Sequence, residues 1–228
     1  MPRVGGGAVP CVKGQGPGPA SLTQDHNPMT HISSFAANAA FEQVCARRIK
    51  TFFDERRAGT DPSLEMLLVQ REGDGFAKQG LDATLQKQVG DAILHRGGCM
   101  YRTVDFKCER RSSPNLFIET HSNMDPERYT PGWLYHLRTD ELWYLFADTG
   151  DLTCVDLHRL KSWLHEEVPN GSSGRGVLRL MAYPEVLQRR HAQLNKTVGR
   201  LVPLRDLTAA PGVIRWRATV PDEAACAA

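Results

Sequence analysis

The sequence has 228 residues and a formal net charge of +2, and 41% of its residues are hydrophobic and 24% charged. These values are ordinary for a globular protein and exclude a collagen-like or largely disordered chain, so we expect one well-packed domain. The near-neutral charge does not by itself indicate a nucleic-acid partner, and no apolar run approaches the roughly 20 residues of a membrane span, so we expect a cytoplasmic protein without a membrane partner.

The N-terminal part of the sequence predicts a leader followed by a long helix. Residues 1–28 are rich in Gly and Pro and show no periodicity, so we expect a disordered leader there. A serine cap ahead of apolar residues at helical spacing then predicts a helix over 35–57. Residues 63–70 fit either a short helix or a strand, because periodicity does not separate the two over so few positions.

Segments rich in β-branched, aromatic and apolar residues predict a series of strands in the middle of the chain. They are 80–85, 99–107, 116–120, 131–137, 141–146 and 152–155. The turn composition of residues 148–151 predicts a hairpin from the last two strands, and Asp156 is placed to cap a helix over 157–167. Strands flanked by helices indicate an α/β fold.

The C-terminal third of the sequence has weaker patterns. It predicts short strands over 178–182, 201–204 and 213–220 and a helix over 184–194. No second domain boundary is evident. We therefore expect a single domain over 29–220, followed by a frayed tail over 221–228.

The residues best suited to carry chemistry are Asp82, Asp105 and Lys107. Positions two apart on a strand point to the same face, so Asp105 and Lys107 should project together while Val104 and Phe106 pack into the core. If Asp82 lies on the neighbouring strand at the same level, its carboxylate and that of Asp105 converge where Mg²⁺ or Mn²⁺ could bind. Such a cation would polarise a phosphoryl oxygen, and the Lys107 ammonium would offset charge that builds up on phosphorus.

The order of these segments resembles the common core of the PD-(D/E)XK nucleases, which have the restriction-endonuclease-like fold. A helix is followed by a Gly-Leu-Asp strand at 80–82, an Asp-Phe-Lys strand at 105–107 and an Asn-Leu-Phe-Ile-Glu-Thr strand at 115–120. The later segments 132–134 and 142–146 are similar to those of phage and mobile-element proteins of this group.

The resemblance covers residues 35–165 and has implications for fold, activity and site. It implies a central mixed β-sheet flanked by helices, and an enzyme that uses Mg²⁺ or Mn²⁺ to hydrolyse phosphodiester bonds of DNA in phage or mobile-element DNA processing or in defence. It also implies a catalytic role for Glu119 on the third strand, and a metal ligand from the first helix, Glu42 or Glu55. One departure is that Leu81 stands where the family often has a proline before its first acid.

A second function stays open, namely a catalytically inactive protein of the same fold that binds DNA or a protein partner. Four arginine pairs could contact phosphate groups or simply be solvated on helix surfaces. They are Arg47-Arg48, Arg56-Arg57, Arg110-Arg111 and Arg189-Arg190. The six cysteines include no CxxC spacing, which argues against a zinc site and a disulfide framework. A homodimer is compatible with the sequence but is not indicated by it.

Overall fold

The computed structural model of the chain describes residues 28–58, 60–69, 89–124, 126–169, 176–190 and 195–221. The helices are α1 (Pro28–Ala58), α2 (Trp133–His136), α3 (Leu157–Leu164) and α4 (Leu204–Ala209), with a 3-10 helix at Arg179–Ala182. The strands are β1 (Leu64–Leu68), β2 (Ala92–Arg96), β3 (Cys99–Glu109), β4 (Asn115–Asn123), β5 (Thr130–Pro131), β6 (Glu141–Phe146), β7 (Asp151–Asp156), β8 (Glu167–Pro169), β9 (Gly176–Leu178), β10 (Glu185–Arg190), β11 (Asn195–Pro203) and β12 (Ile214–Thr219). The predicted leader over 1–27, the predicted strand over 80–85 and the predicted tail over 222–228 lie outside the described residues.

Six strands form a mixed central sheet in the order β1-β2-β3-β6-β7-β12. All neighbours in it are antiparallel except β3 and β6, which are parallel. A parallel pair needs a crossover connection, and here the chain makes it by leaving the sheet after β3 and returning through β4, β5 and α2. β4 and β5 join β10 and β11 in a second, antiparallel sheet in the order β10-β11-β4-β5, and β8 pairs with β9.

Both faces of the central sheet are covered, because every residue of β6 is buried. On one face, Trp143 and Leu145 share a buried cluster with Ile49 of α1. On the other face, Leu142, Tyr144 and Phe146 share a cluster with side chains of β4, α2 and α3. We refer to these as the α1 face and the β4 face. Burying a large apolar side chain of this kind stabilises the fold by about 1.5–3 kcal/mol.

Local sequence signals explain several element boundaries. Gly97 and Gly98 have positive φ angles of 57° and 80° and form the tight turn between β2 and β3. Asp156 caps α3 by accepting a hydrogen bond from Arg159 N at 3.0 Å. The predicted first helix, the hairpin of β6 and β7 and the capped helix after it are confirmed, as is an α/β fold with a mixed central sheet, which few helices flank.

Three predicted elements were wrong. Residues 131–137 were expected to be a strand but contain α2, and 178–182 was expected to be a strand but is mainly the 3-10 helix. Residues 184–194 were expected to be a helix, whereas β10 runs from Glu185 to Arg190 and pairs with β11. β11 in turn pairs with β4, a distant part of the chain, and local periodicity does not indicate a contact of that kind. None of the helices in the described ranges is both long and apolar enough to cross a membrane.

Candidate active site

Asp105 and Lys107 lie together on the β4 face of strand β3. Lys107 Nζ is 2.6 Å from Asp105 Oδ2. Val104 and Phe106 are buried with α1 on the opposite face, as the alternation of the strand predicts. The acid and the amine of the Asp-Phe-Lys segment are therefore in direct contact, on the side of the sheet that faces β4.

Asp91, which directly precedes β2, is a second acid near this pair. Its neighbour Ala92 pairs with Val104, and the charge of Asp91 raises the pKa of both Asp105 and Lys107, so its carboxylate lies near both groups. Two like charges close together repel each other. Asp91 Oδ2 accepts a hydrogen bond of 2.8 Å from Phe106 N, which holds its side chain against β3.

Gly90 fixes the backbone that presents Asp91. Its φ is +75°, and a Cβ at this position would lie 2.5 Å from both Val104 O and Thr139 Cγ2. A residue with a side chain would be strained at this φ angle, and its Cβ would clash with Val104 O and Thr139 Cγ2. The two backbones are also hydrogen-bonded here, since Asp91 N donates to Val104 O at 2.8 Å. Gly90 and Asp91 are therefore held in a fixed position next to β3.

Burial dominates the electrostatics of Asp105, which is only 6% exposed. Burial raises the pKa of Asp105 from 3.8 to about 6, because the attraction of Lys107 offsets the loss of water only in part and the charge of Asp91 adds to the rise. Apart from the Lys107 ammonium, Asp105 Oδ2 has no hydrogen-bond partner among the described residues. Burial lowers the pKa of Lys107, but the charges of Asp105 and Asp91 outweigh it, so the net pKa is raised and the amine stays protonated.

Glu119 and His136 lie at the rim of the site. The negative charge of Glu119, on β4, contributes to the raised pKa of Lys107, and the His136 ring on α2 acts to lower the pKa of Asp105. Glu119 accepts a short hydrogen bond from the Ser122 hydroxyl. Gly132 seats α2 at this point, because a Cβ on it would lie 2.3 Å from Glu119 O. The rim thus combines a carboxylate from the second sheet with an imidazole from the crossover.

The structure brings together some of the residues expected from the sequence and separates others. Asp105 and Lys107 are in contact, and Glu119 is near enough to influence Lys107. Glu42 and Glu55 are exposed on α1, which packs on the opposite face of the sheet from Asp105, so the structure does not bring either to this site. Asp82 lies outside the described residues.

Asp91 is the site residue that sequence reasoning missed. The sequence patterns predict no strand between 85 and 99, whereas the described strands flanking β3 are β2 and β6. Two signals were present in the sequence. Asp91 directly precedes the apolar run 92–94, and the Gly97-Gly98 pair after it is a typical hairpin turn into the Asp-Phe-Lys strand.

The donor set of the site suits a hard divalent cation. No group of three or more His, Cys, Asp or Glu side chains that could hold a metal occurs within the described ranges. Mg²⁺, however, is usually bound through only one or two carboxylates and completes its coordination with water and substrate phosphate oxygens. Asp91 and Asp105 offer two carboxylates, and among the described residues the buried Oδ2 of Asp105 has a single partner. The two acids therefore fit such an ion.

No family model matches the sequence, and neither a curated protein nor a solved structure is significantly similar to it. The family resemblance of the motifs therefore stays a prediction. Function has to be inferred from the residues of the site themselves.

Proposed function

We propose that the chain is a metal-dependent nuclease that hydrolyses phosphodiester bonds of DNA, with Asp91, Asp105 and Lys107 at its centre. The observation that supports this most is that Asp91, held against β3 by its hydrogen bond from Phe106 N, lies near Asp105 and Lys107, which are in direct contact. Two acids so placed repel each other, and one of them is buried, which is unfavourable without a cation. A divalent cation would compensate both charges at once.

The roles of the residues follow from their chemistry. Asp91 and Asp105 would hold Mg²⁺ or Mn²⁺ through carboxylate oxygens. When bound, the cation supplies Lewis acidity that polarises the phosphoryl group. The Lys107 ammonium, freed from full engagement with Asp105, would orient the attacking water or stabilise the negative charge that develops on the phosphate. Glu119, on the other side of Lys107, would help to keep that amine protonated.

The topology around the site is compatible with the restriction-endonuclease-like fold that the motifs resemble. Strands β1, β2 and β3 are consecutive and antiparallel, β6 is parallel to β3, and α1 covers one face. The β4 face is covered by α2 and α3 and also by a four-stranded second sheet. The phage, mobile-element or defence context is part of the same proposal and rests on the resemblance alone.

A cleavage assay tests the proposal. The purified chain is incubated with linear, circular and single-stranded DNA, and with RNA, in Mg²⁺, Mn²⁺ or a chelator. We expect cleavage only with the metals, and we expect Asp105→Asn, Asp91→Asn and Lys107→Met each to abolish it. Asp148→Asn is a matched acid-to-amide control, because Asp148 is an exposed turn residue that accepts hydrogen bonds from Ser112.

Three further variants test the other acids that the sequence predicts as metal ligands. Asp82→Asn tests the acid that lies outside the described residues, and Glu42→Gln and Glu55→Gln test the helix glutamates. We expect the two glutamate variants to cleave as well as the wild type, because α1 packs on the other face. Cleavage that survives Asp91→Asn and Asp105→Asn would contradict the proposal.

The second candidate is a catalytically inactive protein of this fold that binds DNA or a protein partner. It is favoured by the lack of a third metal-ligating side chain near Asp91 and Asp105 in the described part of the chain. DNA binding that is unaffected by Asp105→Asn, together with no cleavage under any metal condition, would support it. The same set of variants therefore distinguishes the two candidates.

A further inference from the structure

A cavity of about 510 Å³ opens on the α1 face of the central sheet. Neither Asp91, Asp105 nor Lys107 lines it, so it is distinct from the proposed nuclease site. Its volume is within the range of small-molecule pockets. Five arginines, five aromatic side chains and one carboxylate, Glu141, contribute to its lining. The cavity is therefore lined mainly by cationic and planar aromatic side chains.

Glu141 organises the floor of this cavity, which we call the arginine pocket. It is 4% exposed, and its Oε1 lies 3.3 Å from Arg102 Nε and 3.3 Å from Arg215 Nε. Its Oε2 accepts a hydrogen bond of 2.8 Å from Trp143 Nε1 and one from the Cys154 thiol. One carboxylate thus holds two guanidiniums in fixed positions while carrying only half of the charge that would neutralise them.

The walls of the arginine pocket place cations over aromatic rings. The guanidinium carbons of Arg96 and Arg102 lie 4.5 Å and 4.9 Å from the centroid of the Tyr101 ring. Tyr101 is 44% exposed. Arg56 lies over Phe52 at 5.8 Å and has no carboxylate within 4 Å among the described residues. These groups are flat, partly accessible and held in place by stacking.

Carboxylates outside the cavity pair with three of its five arginines. Asp61 pairs with Arg96 at 3.0 Å, Asp156 with Arg215 at 2.5 Å, and Asp54 and Glu65 with Arg57 at 3.9 Å and 3.7 Å, but none of these acids lines the cavity. Inside the cavity the lining carries five arginines against the single charge of Glu141. An anion that enters it would meet several guanidiniums and one carboxylate that is already engaged.

We propose that the arginine pocket binds a nucleoside monophosphate group, with its phosphate against Arg56 and Arg102 and its base against the aromatic wall. A guanidinium is suited to bidentate contact with phosphate, and aromatic and guanidinium planes are the surfaces on which nucleobases stack. The group could belong to a free nucleotide or to an unpaired nucleotide of a DNA strand, since both present the same chemistry. This site is additional to the nuclease site and does not depend on it.

Binding measurements in a chelator test the proposal without cleavage. The probes for calorimetry are deoxynucleoside monophosphates, the same nucleosides without phosphate, inorganic phosphate, and a short single-stranded oligonucleotide with or without a terminal phosphate. The variants are Arg56→Gln and Arg102→Gln. Arg205→Gln is the control, because Arg205 has an 87% exposed side chain and does not line the cavity. Arg56→Gln removes no ion pair of the described residues, so it is not expected to affect folding.

The monophosphates are expected to bind at least about tenfold more tightly than either the nucleosides or phosphate, since both parts contribute. Arg56→Gln and Arg102→Gln should each weaken this binding about tenfold, and Arg205→Gln should not. Binding of the oligonucleotide alone, with the same dependence on the two arginines, assigns the nucleotide to a DNA strand. Equal affinity for inorganic phosphate, no binding of any probe, or binding that both variants leave unchanged would overturn the proposal. Asp105→Asn should bind the probes as the wild type does. The binding result can therefore be interpreted even if the nuclease assay shows no cleavage.

Discussion

The substitution Asp105→Asn should stabilise the protein at neutral pH. The carboxyl of Asp105 has its pKa raised from 3.8 to about 6 because burial removes water from the charged form. The shift corresponds to about 3 kcal/mol, the free-energy cost of keeping the carboxylate ionised in the fold at a pH above 6. Asparagine has a similar shape and no charge, so it avoids this cost.

The pH dependence gives the sign of the effect. The folded pKa is higher than the ordinary value, so the stability that Asp105 contributes is fully present below about pH 4 and is lost as the pH rises through about 6. Denaturant unfolding of both proteins in a chelator measures the difference. The two should be nearly equal below pH 4, and the variant should be more stable by about 3 kcal/mol at pH 8. Added Mg²⁺ should then stabilise the wild type more than the variant.

Asp148→Asn is a control for which the pH dependence of stability has the opposite sign. Hydrogen bonds from Ser112 lower the pKa of the exposed carboxyl of Asp148, so its favourable contribution is present at neutral pH and is lost as the pH falls. Asp148→Asn should therefore be no more stable than the wild type at pH 8. If Asp105→Asn is less stable than the wild type at pH 8, or differs from it equally at all pH values, the idea of an undercompensated Asp105 is refuted.

The remaining predictions concern backbone and tethering positions, and unfolding by denaturant measures each. Gly90→Ala should cost about 1–3 kcal/mol and weaken the response to Mg²⁺, because its φ is +75° and a Cβ would lie 2.5 Å from Val104 O; an unchanged response would show that Asp91 is not fixed by this turn. Gly132→Ala should cost a similar amount through the 2.3 Å approach to Glu119 O, and a neutral result would mean that α2 is free to shift. Arg48→Ala should cost about 2–4 kcal/mol, because its guanidinium donates to three main-chain carbonyls at 2.7–2.8 Å, and Arg48→Lys should restore little since lysine cannot span all three.

Elements with strong local signals could be predicted from the sequence. The apolar spacing of α1, the alternation of β3 and the cap at Asp156 each depend on neighbouring residues only. The second sheet could not be predicted in the same way, because β11 pairs with β4, a segment more than 60 residues earlier in the chain, and β10 joins the sheet by pairing with β11. α2 is only four residues long, too short for a helical period to be recognised.

The sequence predicts the part of the candidate site formed by Asp105 and Lys107, but not the part formed by Asp91. Alternation alone was enough to put Asp105 and Lys107 on one face. The partner acid depends on which segment pairs with β3, and the Gly97-Gly98 turn, which joins β2 to β3, brings Asp91 near it. The burial of Asp105 could not be predicted either, because it results from the second sheet and the crossover that cover the β4 face.

Asp105 and Glu141 form a comparison within a single molecule that bears on function. They lie on adjacent strands and opposite faces of the sheet, and they are 6% and 4% exposed. Glu141 is surrounded by two guanidiniums, an indole N–H and a thiol, whereas the described residues give Asp105 one ammonium and a second acid nearby. This fold can therefore supply a buried carboxylate with a full set of partners. Because local rules are usually broken where function requires it, the smaller set of partners that Asp105 has among the described residues supports the proposed cation site.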